Sequence, residues 1–382
     1  MKTDRGAALL LMAAAIVGLL VANSPVGPAL IDFKFTYFGF EELGLKLTVE
    51  HWVSDLVLAV FFLVAGLELK YELRLGILSK PATALIPVVA ALGGVIVPSA
   101  IYVAFNWGTD YLAGWPIPAA TDIAFALGVL AIFGRGLPKE ARIFLLSLAI
   151  FDDLMAILII AVFFTSDLQP QFLIVAALVA ALHILMERQR RIPINAARVV
   201  TFLILWYLIY QSGVHATIAG VLLGIIIPAS KTHGLTAKLQ PWTNTLVLPL
   251  FAFFAVAIAL PSFEDELSTV FLGITVGLPL GKAIGIAGAA ILLNRFVAKE
   301  SRLPLNGFEF LAVAFLAGVG FTVSLLISNL AFKDMPDVLA DATLGVIAGS
   351  LISMALGAII ARLQGSARLE AKKAKRQEKS QS

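Results

Sequence analysis

Apolar runs long enough to cross the roughly 30 Å of hydrocarbon in a bilayer recur from one end of this chain to the other. Twelve can be counted, near residues 7–23, 52–69, 82–104, 111–134, 142–165, 171–186, 194–211, 213–228, 243–260, 267–294, 307–331 and 338–361. Hydrophobic residues make up 60% of the 382, charged residues 14%, and the mean hydropathy is +0.95. A soluble globular domain is excluded on those figures. The expected fold is an all-α polytopic membrane protein, with residues 1–382 forming a single transmembrane domain of about twelve helices.

The basic residues predict an orientation. With the N-terminus cytoplasmic, 23 of the 28 Lys and Arg fall in inner loops and tails, and only Lys34, Lys46 and Lys333 fall outside. The remaining two are Arg198, which is placed to snorkel to the inner surface, and Lys282, which is too deep to do so. The net charge of +3 is thus a topology signal with a solvated tail, and no nucleic-acid binding is read from it. The first run, preceded by Lys2 and Arg5, has the outline of a signal peptide; with eleven spans behind it, it reads as an uncleaved helix. Cysteine is absent, so disulfides and thiolate chemistry are excluded. No phosphate-binding loop is present; the nearest decoy, Gly277 to Ala283, lacks the spacing and the hydroxyl that would hold magnesium. Uphill transport by such a chain would draw on an ion gradient.

Several segments depart from plain apolar helix. Residues 33–38 and 45–49, rich in aromatic and β-branched side chains around a glycine-bounded link at 39–44, read as an external β-hairpin that must pack on something to be stable. The fourth run holds Pro116 and Pro118, followed by Thr121 and Asp122 ahead of a clean apolar helix from Ile123 to Phe133. That order predicts a half-helix, an extended break and a second half-helix. The eleventh run carries Gly318 and Gly320 at its middle, which suggests a second break. In the tenth run Gly273, Gly277, Gly281 and Gly285 form a stripe of small residues suited to close helix packing, with Lys282 beside it. The charged tail, residues 362–382, reads as a disordered or weakly helical cytoplasmic end. Spans three to five and ten to twelve each have an interrupted helix in the middle, and under the orientation above the two triplets run in opposite directions. That is the mark of an inverted-repeat transporter with its site at mid-depth.

The chemistry is concentrated in Asp122, Asp152, Asp153 and Lys282. A carboxylate at mid-bilayer costs at least about 2.5–3.5 kcal/mol, so the adjacent Asp152 and Asp153 call for a cation, a proton or a basic partner. Side by side in low dielectric they resist carrying two full negative charges at once. Consecutive helical residues point about 100° apart, so the pair can serve two partners. Asp122 can balance the positive N-terminal ends of broken helices and Lys282 the negative C-terminal ends. Oxygen ligands from Asp152, Asp153 and Thr121 suit an alkali cation, and a carboxylate that holds either a proton or a cation can exchange one for the other. An alternative reading is proton-coupled symport of a small organic solute, although the core has few further polar groups to bind one.

With these residues in view, the chain resembles the NhaA family of bacterial sodium/proton antiporters over essentially its full length. The matching segments are Ala120 to Phe125, Asp152-Asp153-Leu154, Ser212 to Thr217, Leu248 to Phe253, Gly281-Lys282 and Gly318 to Thr322. This family is itself a standard example of inverted repeats, so the repeat and the resemblance are one line of evidence. The resemblance implies crossed, unwound fourth and eleventh helices and electrogenic export of Na+ or Li+ against H+ across the bacterial inner membrane, with no cofactor. It implies that Asp153 is the main cation ligand with Thr121 beside it, that Asp152 carries a proton and pairs with Lys282, and that Asp122 balances helix dipoles. It further implies a homodimer contact through residues 33–49 and a pH response through Glu68 and Glu72. His215 is expected to be a structural or tuning residue, or a pH sensor. Two departures stand out: the inner loop from Ala229 to Thr243 has no carboxylate, and Phe254 to Ala257 lacks the polar Asn often found there in the family.

Overall fold

The computed structural model describes residues 2–76, 79, 81–165, 167–188, 194–259, 268–298 and 302–381. Of the basic residues that predict the orientation, Lys80, Arg190, Arg191 and Lys299 lie outside the described residues. The chain is helical and polytopic. Among the described residues nine helices are long and apolar enough to cross a membrane, and two bent helix pairs bring the number to eleven. Large apolar side chains such as Ile174, Leu178 and Leu182 lie on exposed helix faces, as lipid contact requires.

The eighth expected span is shorter than its sequence suggests. Within 213–228 only Ile218–Ile226 is helical, about 13 Å of rise. Gly213, with φ +80, turns the chain before it, and Pro228 follows the extended Ile227 at its end.

The chain divides into two compact units. The first comprises Met1–Leu9, Pro81–Asp153 and Pro261–Ser382, and the second Leu10–Lys80 and Leu154–Leu260. The first unit thus gathers spans three, four and ten to twelve together with the first part of span five, through Asp153. Its core joins Ala90, Ala126, Leu148, Ile286, Phe310 and Val313, and Phe144 meets Phe310 edge-on. The tenth span packs closely on the third, Pro81–Phe105. A side chain at Gly281 would meet the backbone of Pro98, and one at Gly285 would meet the carbonyl of Gly93. The stripe is therefore a packing surface. Two wide π-turns, Gly277–Gly281 and Ala283–Ala287, flank Lys282.

Both interruptions are present. The eleventh span breaks between Gly307–Ala317 and Phe321–Ala331, with a 47° bend. In the fourth, the expected first half-helix is instead two short 3-10 turns, Leu112–Gly114 and Ile117–Ala119. Pro116 and Pro118 lack N–H donors and their rings clash with a helical neighbour, so no α-helical ladder can run through them. The chain is extended at Ala120 and Asp122 before the helix Ile123–Phe133.

The twelfth span belongs to one helix, Pro336–Gln381, so the tail from 362 continues as helix to 381. Its Ala, Glu, Lys and Arg residues are strong helix formers. Arg368 in this extension pairs with the buried Glu309, donating to Oε2 at 2.7 Å. Glu309 also completes a capping box with Asn306 at the start of the helix Gly307–Ala317.

In the second unit the hairpin is formed by Tyr37–Phe40 and Leu45–Thr48, antiparallel, with Phe38 opposite Leu47. Its first strand starts later than the sequence suggests because Gly27–Lys34 is helical, with Pro28 in its first turn. Lys34, expected in an external strand, is 2% exposed and pairs with Glu50 at 3.0 Å. It also donates to the carbonyl of Ala257 at the end of the helix Leu248–Val256. The hairpin is anchored by a stack running Phe38, Trp52, Trp206, Tyr210, and by the Trp52 indole N–H bonded to Phe38.

The Gly285 contact makes a prediction for stability. Gly285→Val should lower the detergent melting temperature by several degrees, an overpacking cost of roughly 1–3 kcal/mol. Gly288→Ala, where nothing lies within 4 Å, should be nearly silent. Equal melting temperatures for the two variants would contradict the packing description.

Candidate functional site

Helices broken inside a membrane leave backbone donors and acceptors without partners, and the site is built from the residues that satisfy them. Asp122 is the N-cap of Ile123–Phe133, and its Oδ1 accepts from the N–H groups of Ala124 and Phe125 at 3.1 and 3.2 Å. Its Oδ2 accepts from Thr322, both hydroxyl at 2.6 Å and backbone N–H at 3.2 Å, at the start of Phe321–Ala331. One carboxylate therefore caps the N-terminal ends of two half-helices, the arrangement expected of a dipole-balancing charge. The backbone N–H of Asp122 donates to Val319 at 2.6 Å, and the Ser324 hydroxyl donates to Ile117 at 2.7 Å. The fourth and eleventh spans thus cross at their breaks.

Next to Asp122, the Thr121 hydroxyl lies 2.6 Å from Asp152 Oδ2 and 2.7 Å from the Ala317 carbonyl, and accepts from Lys282 at 3.0 Å. With one proton, it donates to one of the two oxygens at a time. Lys282 Nζ is 2.7 Å from the same Asp152 Oδ2, and both side chains are fully buried. Lys282 bonds directly to Asp152, the pairing that the resemblance implies, and reaches Ala317, the last residue of Gly307–Ala317, only through Thr121. Such a pair holds together because parting it strands a charge in low dielectric, at a cost of about 3–5 kcal/mol. Asp152 Oδ1 is buried and has no hydrogen-bond partner among the described residues. Asp153, on the adjoining helical face, is 9% exposed. Three of the site residues predicted from sequence, Thr121, Asp152 and Lys282, are thereby joined by hydrogen bonds, and Asp122 adjoins them as the residue after Thr121.

The other predicted residues belong to the second unit. Glu68 and Glu72 lie one turn apart on the helix Leu58–Arg74, half-buried, with Gln240 at 3.5 Å from Glu68. His215 meets Thr217 through Nδ1 at 2.8 Å and Asp55 through Nε2 at 3.4 Å. Asp55, 3% exposed in a π-turn, also meets His51 at 3.4 Å. The sequence reading passes over Asp55, although a carboxylate inside the second apolar run was a visible signal. It also passes over Glu187, which binds Arg198 through Nε at 2.7 Å and Lys231 at 2.7 Å. Arg198 is therefore paired inside the unit, where snorkelling was expected. The acid-free inner loop is a helix, Ala229–Trp242.

Comparisons with known proteins agree with this geometry. Residues 1–361 match the profile of the family described as Na+/H+ antiporter 1. The Na(+)/H(+) antiporter NhaA 2 of Clavibacter michiganensis is 45% identical over 371 residues, covering 94% of this chain and 90% of the relative. The Na(+)/H(+) antiporter NhaA of Thermobifida fusca is 42% identical over 382 residues, covering 94% and 92%. That of Aliivibrio fischeri is 39% identical over 367 residues, covering 93% and 94%. Nothing in these relatives supports solute symport. Crossed broken spans, a buried Asp–Lys pair and similarity along nearly the whole chain converge: this multi-pass membrane protein belongs to the Na+/H+ antiporter 1 family.

Proposed function

We propose that this chain exports Na+, or Li+, in exchange for H+ and so serves pH and sodium homeostasis. It would reside in the bacterial inner membrane with both termini cytoplasmic. The carrying observation is the Asp152–Lys282 pair with Thr121 inserted in it, one buried Asp152 oxygen unbonded among the described residues and Asp153 alongside. In this reading Asp153, with Thr121 and Asp152, binds the dehydrated cation. A cation arriving at two carboxylates makes a resident proton unfavourable, and the converse holds when a proton arrives. Asp152 carries the second proton: protonated, it releases Lys282, and deprotonated, it pairs again. More than one proton per cation makes the exchange electrogenic. Asp122 serves the two helix ends.

The remaining assignments are regulatory. Glu68, Glu72 and His215 modulate the pH response from the second unit, in which the helix Ala229–Trp242 offers no carboxylate. Ordinary competition at the core then dominates pH dependence. In inverted vesicles carrying a pH gradient, apparent KM for Na+ should fall as pH rises, roughly tenfold per unit while one proton competes near equilibrium. Asp153→Asn, and nearly as strictly Asp152→Asn, should abolish Na+-driven proton movement with protein still folded in the membrane. A KM independent of pH, or substantial exchange by Asp153→Asn, would refute the assignment.

The hairpin is proposed to contact a second copy of the chain. Tyr37, Phe38 and Phe40 are 65, 50 and 68% exposed on its first strand, an apolar row of the kind that pairs with a partner. Because the chain has no cysteine, Thr36→Cys should give a single disulfide-linked dimer in membranes, and removing residues 41–44 should weaken dimerisation with exchange largely spared. A monomer at high concentration in mild detergent would count against it.

A further inference from the structure

The exchange reading leaves one member of the helix crossing without a role. Thr322 is 2% exposed in the first turn of Phe321–Ala331, and its hydroxyl bond to Asp122 Oδ2, at 2.6 Å, joins residues 200 positions apart. Asp122 is otherwise held by its own helix through Oδ1 and by its N–H to Val319. Together these bonds fix residue 122 in an extended conformation, φ −98 and ψ 100. Thr121 is the preceding residue. Its hydroxyl sits one bond beyond Cβ, so the backbone and the single torsion χ1 decide whether that oxygen reaches Asp152 Oδ2, Lys282 Nζ and the Ala317 carbonyl together.

We propose that Thr322 is a positioning residue for the exchange: by holding Asp122 across the crossing, its hydroxyl sets where Thr121 enters the Asp152–Lys282 pair, and so tunes sodium affinity. Thr322 itself touches no ion. A short bond from a hydroxyl to a carboxylate is charge-assisted and about twice as strong as a neutral one, and a buried carboxylate that loses it must find another donor or shift. The remaining Thr322 N–H, at 3.2 Å, keeps the crossing tied but leaves the carboxylate freer to turn. Because the same carboxylate caps its own helix through Oδ1, a shift of Oδ2 is passed through that cap to the backbone at 121–122. The inference rests on the ion site proposed above.

The test is a series at one position in which hydroxyl and volume are separated. T322S keeps the hydroxyl and loses a methyl, T322V keeps the volume and loses the hydroxyl, and T322A loses both. Sodium-dependent exchange in vesicles at one fixed pH should give T322S a KM within about twofold of the parent. T322V and T322A should raise KM by roughly tenfold, one charge-assisted bond's worth, with maximal rate changed less than about threefold. A ranking by volume, with T322V near the parent and T322S impaired, would overturn the proposal. So would a KM unmoved in both T322V and T322A, or their joint absence from the membrane, which would make Thr322 a folding residue. If T322V alone is lost, T322S against T322A decides. Asp153→Asn, run alongside, separates the two claims: retained exchange there fails the ion site, whereas a dead Asp153→Asn with a volume-ranked series fails only the positioning.

Discussion

A helix interrupted in hydrocarbon exposes N–H and C=O groups that no water can satisfy, and the first unit is organised around this constraint. Asp122 accepts from the starts of two half-helices at once, four donors on two oxygens. The carbonyl at the end of Gly307–Ala317 finds Thr121, and that of Ile117 finds Ser324. The groups that repair the backbone are therefore neighbours in sequence of the groups that hold the ion pair. Structural repair and ion chemistry share one short stretch of chain, Thr121 and Asp122, and neither can move without the other.

Depth protects this arrangement. Lys282 is held in a fully buried position by Asp152 and Thr121, and it lies between two π-turns where the tenth span runs close to the third. Small residues are needed on that face because the third span brings its backbone, with Pro98 and Gly93, against it. The price of a buried charge pair is thus met by tight local geometry, the condition under which such pairs persist.

The fold class, both breaks and the Asp152, Asp153 and Lys282 cluster were legible because charge, proline and, in the eleventh run, the closely spaced Gly318 and Gly320 stand out inside apolar runs. What escaped the sequence has a common physical origin: it depends on a partner remote in the chain. Lys34 looked external until Glu50 and Ala257 supplied its bonds. Glu187 sits at the end of its apolar run, where a carboxylate is ordinary, and becomes notable only once Arg198 and Lys231 close on it. Hydropathy cannot tell a spanning helix from a short buried one, so 213–228 counted as a full span while only Ile218–Ile226 is helical. Thr322 was visible as a motif residue, but its link to Asp122 is a contact across 200 residues.

The helix Pro336–Gln381 has 46 residues, about 69 Å of rise, more than twice the hydrocarbon thickness. Arg368, well along it, grips Glu309 in the first turn of the half-helix Gly307–Ala317, and Gln364 bonds Asn306 at the same cap. The rod is thereby geared to the part of the eleventh span that ends at Ala317, beside Thr121. Eleven residues of helix, about 16 Å of rise, are all that separate this anchor from the carbonyl that meets the Thr121 hydroxyl at the crossing.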